Sequence, residues 1–159
     1  MTPTYLSRRV IVERLSLLDG MFSQIQRLPL HDEESFFADS RNVHTAESCL
    51  RRALEALFDV GRHILSKAYG IPAATYKEVA ILLAEREVLD EGEEKILVQM
   101  AGYRNRLIHF YHEVSPAELY RVCVEDLGDL ASIRSAFQRW IRANPHKIDH
   151  PLTDANGQD

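Results

Sequence analysis

Residues 41–70, RNVHTAESCLRRALEALFDVGRHILSKAYG, decide the fold. Val43, Ala46, Leu50, Ala53, Leu57, Val60 and Ile64 recur at alternating steps of three and four, the spacing of one helical face. Leu54, Phe58 and Leu65 widen that stripe into a broad apolar surface, as expected of a helix at the centre of a bundle. The helix is predicted from Arg41 to Tyr69. Gly70 supplies the left-handed residue that ends it, and Pro72 forbids its continuation.

The flanking segments repeat the pattern. A first helix is predicted from Thr4 to Leu28 on Ile11, Leu15, Leu18, Phe22 and Ile25. Pro29 closes it, and the acids Asp32, Glu33 and Glu34 suit the first turn of a short helical segment through Phe36 and Phe37. Thr75-Tyr76-Lys77-Glu78 has the form of a capping box and opens a short helix with Val79, Leu82 and Leu83 inward. After a break at Asp90-Glu91-Gly92, a fourth helix carries Ile96, Met100, Tyr103, Leu107 and Phe110 on its core stripe. Ser115-Pro116-Ala117-Glu118 is a second capping box, with proline at the first helical position. It opens a last helix that runs to Arg142 on Leu119, Cys123, Leu130, Ile133 and Phe137. No strand alternation and no internal repeat appear. The expectation is an all-α, up-and-down bundle of about five helices. Residues 1–143 form its domain and residues 144–159 an extended or mobile tail.

Composition is that of an ordinary soluble protein: 159 residues, 45% hydrophobic and 27% charged. No run reaches the ~20 apolar residues of a membrane span and no leader pattern opens the chain, so a cytoplasmic protein without a membrane partner is expected. Cys49 and Cys123 fall within helical patterns, where a reduced, buried role suits them. The net charge of −5 argues against a dedicated nucleic-acid-binding module. Charge is nevertheless uneven: residues 131–148 hold Arg134, Arg139, Arg142 and Lys147 and no acid. Two readings stand, cations favoured near a helix C-terminus or a local phosphate-attracting patch.

Chemistry concentrates late in the fourth helix, in Tyr103-Arg104-Asn105-Arg106-Leu107-Ile108-His109-Phe110-Tyr111-His112. Arginine binds phosphate through a planar fork, and histidine moves protons near neutral pH. Together they suffice for metal-free RNA cleavage, in which the 2′-hydroxyl attacks the adjacent phosphate. Helical spacing alone does not build that site. Arg104 and His109 are roughly 140° apart at about 100° per residue. They share a site only if the arginine arches over or the helix bends or ends there. Residue types by themselves leave open a solvated helix face. His109, His112 and Glu113 can be drawn as zinc ligands, but the cysteines lie elsewhere and the chain has no Glu-x-x-His pair, so no metal or other cofactor is expected.

Arg104-x4-His109-x-Tyr111 resembles the signature of the HEPN ribonuclease superfamily, specifically of its HepT-like toxins. Asn105 matches that group's polar residue after the arginine. Residues 57–65, Gly70-Ile71-Pro72, Thr75-Tyr76-Lys77-Glu78, Glu87-Val88-Leu89 and residues 100–109 resemble the family's run in order and spacing. The likeness covers roughly residues 5 to 140. It implies a HEPN-like bundle that forms a homodimer with both motifs facing one cleft. It also implies a toxin of a toxin–antitoxin pair, an endonuclease of tRNA or mRNA giving 2′,3′-cyclic phosphate and 5′-hydroxyl ends. Arg104 and His109 would be catalytic, with Asn105 in support. The partner implied is a small MntA-like nucleotidyltransferase antitoxin that transfers AMP to Tyr111. Arg106, His112, Arg62 and His63 are further candidates for contact with RNA. The alternative within the superfamily is a non-catalytic bundle that binds nucleotide or assists a partner nucleotidyltransferase. The intact Arg104–His109 pair, which a binding module does not need, distinguishes the two.

Overall fold

The computed structural model describes residues 2–109 and 111–150, and of Tyr111 the backbone alone. Among these residues it holds seven α-helices: α1 (Arg8–Gln26), α2 (Glu33–Phe37), α3 (Ser40–Tyr69), α4 (Tyr76–Glu85), α5 (Glu91–His109), α6 (Pro116–Glu125) and α7 (Leu127–Ala143). Short 3-10 turns at Tyr111–Glu113 and Pro145–Lys147 complete the set. The all-α expectation holds.

Helix α3 is the axis and touches each of the other six helices. Asp39 caps its start by accepting from the Arg41 N–H, and Gly70 ends it with φ of 66°. Its predicted stripe is buried apart from Val43, which is half-buried near the N-terminal end. The helix lies close to its neighbours at Gly61. A Cβ there would sit 3.1 Å from both Leu83 Cδ1 and Val79 Cγ1 and 3.4 Å from Phe137 Cζ, so the missing side chain is what lets α4 close on α3.

Local start signals set most of the other boundaries. The Thr75–Glu78 box forms in full: Glu78 N–H donates to Thr75 Oγ1, and the Glu78 carboxylate accepts from the Thr75 N–H. Asp90 and Glu93 make an equivalent reciprocal pair at 3.0 and 2.8 Å ahead of α5. Along α5, Leu97, Met100, Ala101 and Leu107 are buried, while Ile96 and Tyr103 are half-buried. Phe110, predicted on the same stripe, lies outside the described residues.

Four expectations are corrected. The first helix starts at Arg8, four residues late, because Leu6 pairs with residues 147–149. Its N–H donates to the Lys147 carbonyl (2.8 Å), and its carbonyl accepts from the Asp149 N–H (2.9 Å). Within α1, Met21 takes the buried place expected of Phe22, which packs from the flank. The single last helix is two helices, broken at Asp126 and resumed at Leu127. Aspartate and Gly128 are poor helix formers, and no core residue falls between Cys123 and Leu130. The described part of the tail is anchored, through a 3-10 turn at Pro145–Lys147 and then Ile148 paired with Leu6. Ile148 is 6% exposed beside Leu6, and Asp149 accepts from the Arg8 N–H.

Both cysteines are free and buried, and burial pushes the Cys123 thiol up to about 12. The uneven cations at the end of the chain are largely engaged. Arg134 grips Asp19 with two 2.8 Å bonds, Arg139 meets Glu93, and Lys147 lies over the Tyr69 ring. That pairing favours the structural reading of this stretch. Among the described residues, no helix is long and apolar enough to cross a membrane.

Candidate active site

The second half of α5 turns its Arg104 face toward α3 and α4. The Arg104 side chain is only 14% exposed. Its guanidinium carbon stands 4.1 Å from the centroid of the Tyr76 ring. Its Nη2 reaches Glu55 Oε1 at 3.5 Å, and its Nη1 donates to Asn105 Oδ1 at 3.4 Å. Both contacts lie at the outer limit of a hydrogen bond, and the buried Nε–H has no hydrogen-bond partner. The fork is therefore held mainly by the ring and only weakly answered by protein oxygens.

Arg62 comes from α3 to the same ring, 4.5 Å from its centroid, and its Nε is likewise buried without a hydrogen bond. Phe58 braces Tyr76 edge-on at 4.8 Å. Asp59, ion-paired with Arg14 at 3.3 Å, completes the group. Burial raises the Asp59 carboxyl above its ordinary value, against the pull of Arg14, Arg62 and Arg104. Three arginines thus surround the two carboxylates of Glu55 and Asp59. The cluster has an excess of positive charge, suited to an anion.

His109 is the last residue of α5 and is exposed. The helix ends with it, one of the openings that helical spacing left for Arg104 and His109 to share a site. Asn105 is exposed beside Arg104, and His112 is exposed in the following 3-10 turn. The backbone of Tyr111 opens that turn, and its side chain lies outside the described residues.

Two candidates are diverted elsewhere. Arg106 points to α6, donating to Glu118 at 2.6 and 3.0 Å and to the Glu113 carbonyl at 3.4 Å. This pair also explains why the second capping box is half-formed. Ser115 Oγ accepts from the Glu118 N–H, but the Glu118 carboxylate is taken by Arg106 instead of turning back to Ser115. His63 faces the N-terminal segment, where its Nε2 accepts from the Ser7 N–H at 2.9 Å. Burial and then Lys67 depress its pKa, with Asp149 opposing, so the neutral ring that this bond needs is favoured.

The structure thus brings Arg62 and Arg104 to one ring with Asn105 beside Arg104, and sets His109 at the end of α5 and His112 in the 3-10 turn after it. Sequence reasoning missed Tyr76, Glu55 and Asp59. Tyr76 was read only as an interior position of a capping box. The signal available was the spacing of Glu55, Asp59 and Arg62, four and three apart on one face of α3.

Comparison with known proteins places the chain in a wider group. The family model of the ribonuclease HepT-like proteins matches residues 19–137. The tRNA nuclease HepT of Aphanizomenon flos-aquae (strain 2012/KM1/D3) is 26% identical over 112 residues, 70% of this chain and 76% of that protein. Among solved structures, the tri-AMPylated HEPN toxin of Shewanella oneidensis in complex with MNT antitoxin has a TM-score of 0.73 at 21% identity, covering 82% of this chain and 97% of that one. YutE of Bacillus subtilis, a cytosolic protein of unknown function, also reaches 0.73 at 16% identity, covering 94% and 99%. These structural likenesses concern the fold.

Proposed function

The chain belongs to the ribonuclease HepT-like family, and from that membership we propose that it is an RNA endonuclease serving as the toxin of a toxin–antitoxin pair. The observation that carries the reading is the state of Arg104: half-buried, over the Tyr76 ring at 4.1 Å, and met only at 3.4–3.5 Å by Asn105 and Glu55, five residues before His109. A guanidinium so oriented and so weakly satisfied is prepared for a phosphate.

In the proposed reaction the 2′-oxygen forms a bond to the adjacent phosphorus while the bond from phosphorus to the 5′-oxygen breaks. His109 shuttles the proton from the 2′-hydroxyl toward the departing 5′-oxygen. Arg104 stabilises the charge on the crowded phosphoryl group, and Asn105 holds the Arg104 fork. The products are a 2′,3′-cyclic phosphate and a 5′-hydroxyl, with no cofactor. Arg62 and His112 supply further contacts to RNA. Two protomers pair so that both motifs face one cleft. A nucleotidyltransferase antitoxin silences the toxin by transferring AMP to Tyr111. An anionic group added seven residues after Arg104 in the motif competes with the RNA phosphate for that arginine.

The test is cleavage of end-labelled tRNA and of an mRNA in EDTA by wild type, His109→Ala and Arg104→Ala. Cleavage by wild type alone, with cyclic-phosphate ends, is the expected result. A folded wild type that is inactive while its mass shows Tyr111 unmodified would overturn the reading in favour of a non-catalytic bundle.

A further inference from the structure

Tyr76 is the point where cations from two helices meet. Arg62 reaches it from α3 and Arg104 from α5, at 4.5 and 4.1 Å from one ring centroid. The two guanidinium carbons are therefore no farther apart than those two distances together. Two like charges so close repel unless something holds them. Glu55 contributes one long contact to Arg104, and neither buried Nε–H has a hydrogen bond. Both cations feel the Asp59 carboxylate, and both lie over the electron-rich ring, which attracts a cation more strongly where water is excluded. The ring is itself fixed. It sits on the first residue of α4 within the closed Thr75–Glu78 box, it meets the edge of Phe58 at 4.8 Å, and Gly61 lets α4 press onto α3.

We propose that Tyr76 is a positioning residue that holds Arg104 and Arg62 as a two-pronged clamp for an RNA phosphate, with Glu55 as the weak partner that the phosphate displaces. The inference rests on the reading of Arg104 as the residue that contacts the reacting phosphate. It adds what orients that residue. The aromatic face matters and the phenolic hydroxyl does not, so phenylalanine replaces Tyr76 and an aliphatic residue of similar bulk does not.

The experiment compares wild type, Tyr76→Phe, Tyr76→Leu, Tyr76→Met and Arg104→Ala as full chains. All are assayed well below their melting temperatures, under single-turnover conditions on labelled tRNA. Tyr76→Phe is expected to cleave like wild type. Tyr76→Leu is expected to lose about 100-fold in the maximal rate, the scale of a misplaced catalytic group, with little change in the half-saturating tRNA concentration. Tyr76→Met repeats the measurement should the leucine variant fail to fold. Arginine side-chain NMR gives a readout independent of activity. The Nε–H resonances of Arg62 and Arg104 are expected to move in Tyr76→Leu, where the ring current is lost, and to stay in place in Tyr76→Phe. Aliphatic variants that are folded and cleave at the wild-type rate would overturn the proposal, as would unmoved arginine resonances. If instead Arg104→Ala cleaves like wild type, the reading beneath it fails, and the resonances alone still decide whether Tyr76 positions the arginines.

Discussion

Arg106 and Glu118 form a two-pronged ion pair, 2.6 and 3.0 Å, that ties the last turn of α5 to the first turn of α6. The connection between them carries Tyr111 and His112, and Arg106 also donates to the Glu113 carbonyl within it. One arginine thus ties α5 both to α6 and to the 3-10 turn at Glu113. The geometry of α5 beyond Leu107 depends on a side chain twelve residues away in sequence.

Replacing that arginine tests the tie. Arg106→Ala is expected to lower stability by about 1 kcal/mol, since the pair is partly solvated and surface ion pairs contribute little more. Urea unfolding followed by circular dichroism measures it. Glu118→Gln should cost less, because an amide oxygen still accepts one arginine N–H. Equal losses in the two variants would argue against the pair as the source.

Gly61 sets how closely α4 approaches α3. Gly61→Val places carbon atoms where Leu83, Val79 and Phe137 already stand, and overpacking of this kind costs about 2 kcal/mol. A lower melting temperature is expected, together with reduced cleavage, because α4 carries Tyr76. A valine variant as stable as wild type would show that the helices can part at no cost.

Stability should fall on mild acidification through His63. Its imidazole accepts a hydrogen bond from the Ser7 N–H, and burial depresses its pKa below the ordinary value near 6.5. The unfolded chain therefore binds a proton at a pH where the folded one does not. The stabilisation is present above the unfolded pKa and is lost as pH falls toward the folded one. Urea midpoints at about pH 7.5 and about pH 5.5 measure it. His63→Gln, which still offers an acceptor, is expected to show a smaller drop than wild type.

The terminal clasp is a stability element. A chain ending at Ala143 loses the burial of Ile148 beside Leu6, the backbone bonds between Leu6 and residues 147 and 149, and the Asp149 contact to Arg8. Losing the isoleucine burial and these bonds is expected to cost about 3 kcal/mol. Denaturant unfolding of the truncated chain checks it. A cost near zero would mean that the described tail rests on the bundle without stabilising it.

What was legible in the sequence was local. The stripe of α3 from Ala46 to Ile64, the glycine stop at Gly70 and the Thr75–Glu78 box depend on residues within four positions of each other, so they appear in any reading of the chain. Arg104, Asn105 and His109 likewise fall within five positions of each other. Where a distant partner competes, the local reading fails. Glu118 is expected to close its own capping box, but Arg106 offers two bonds from a cation against one from a neutral backbone N–H. Leu6 was expected in a helix, but Ile148 and Lys147 draw it into an extended pairing. His63 sits beside Arg62 in sequence, yet a helix turns them to different neighbours, one to Ser7 and the other to Tyr76.

By itself, the sequence determined that this chain is a helical bundle with an arginine–histidine motif near the end of one helix, because helix periodicity and capping are short-range. Only the tertiary structure decided that Arg104 lies against Tyr76 beside Glu55 and Arg62. Arg104 and those partners come from three helices, and nothing in the spacing along any one of them specifies how the helices pack together.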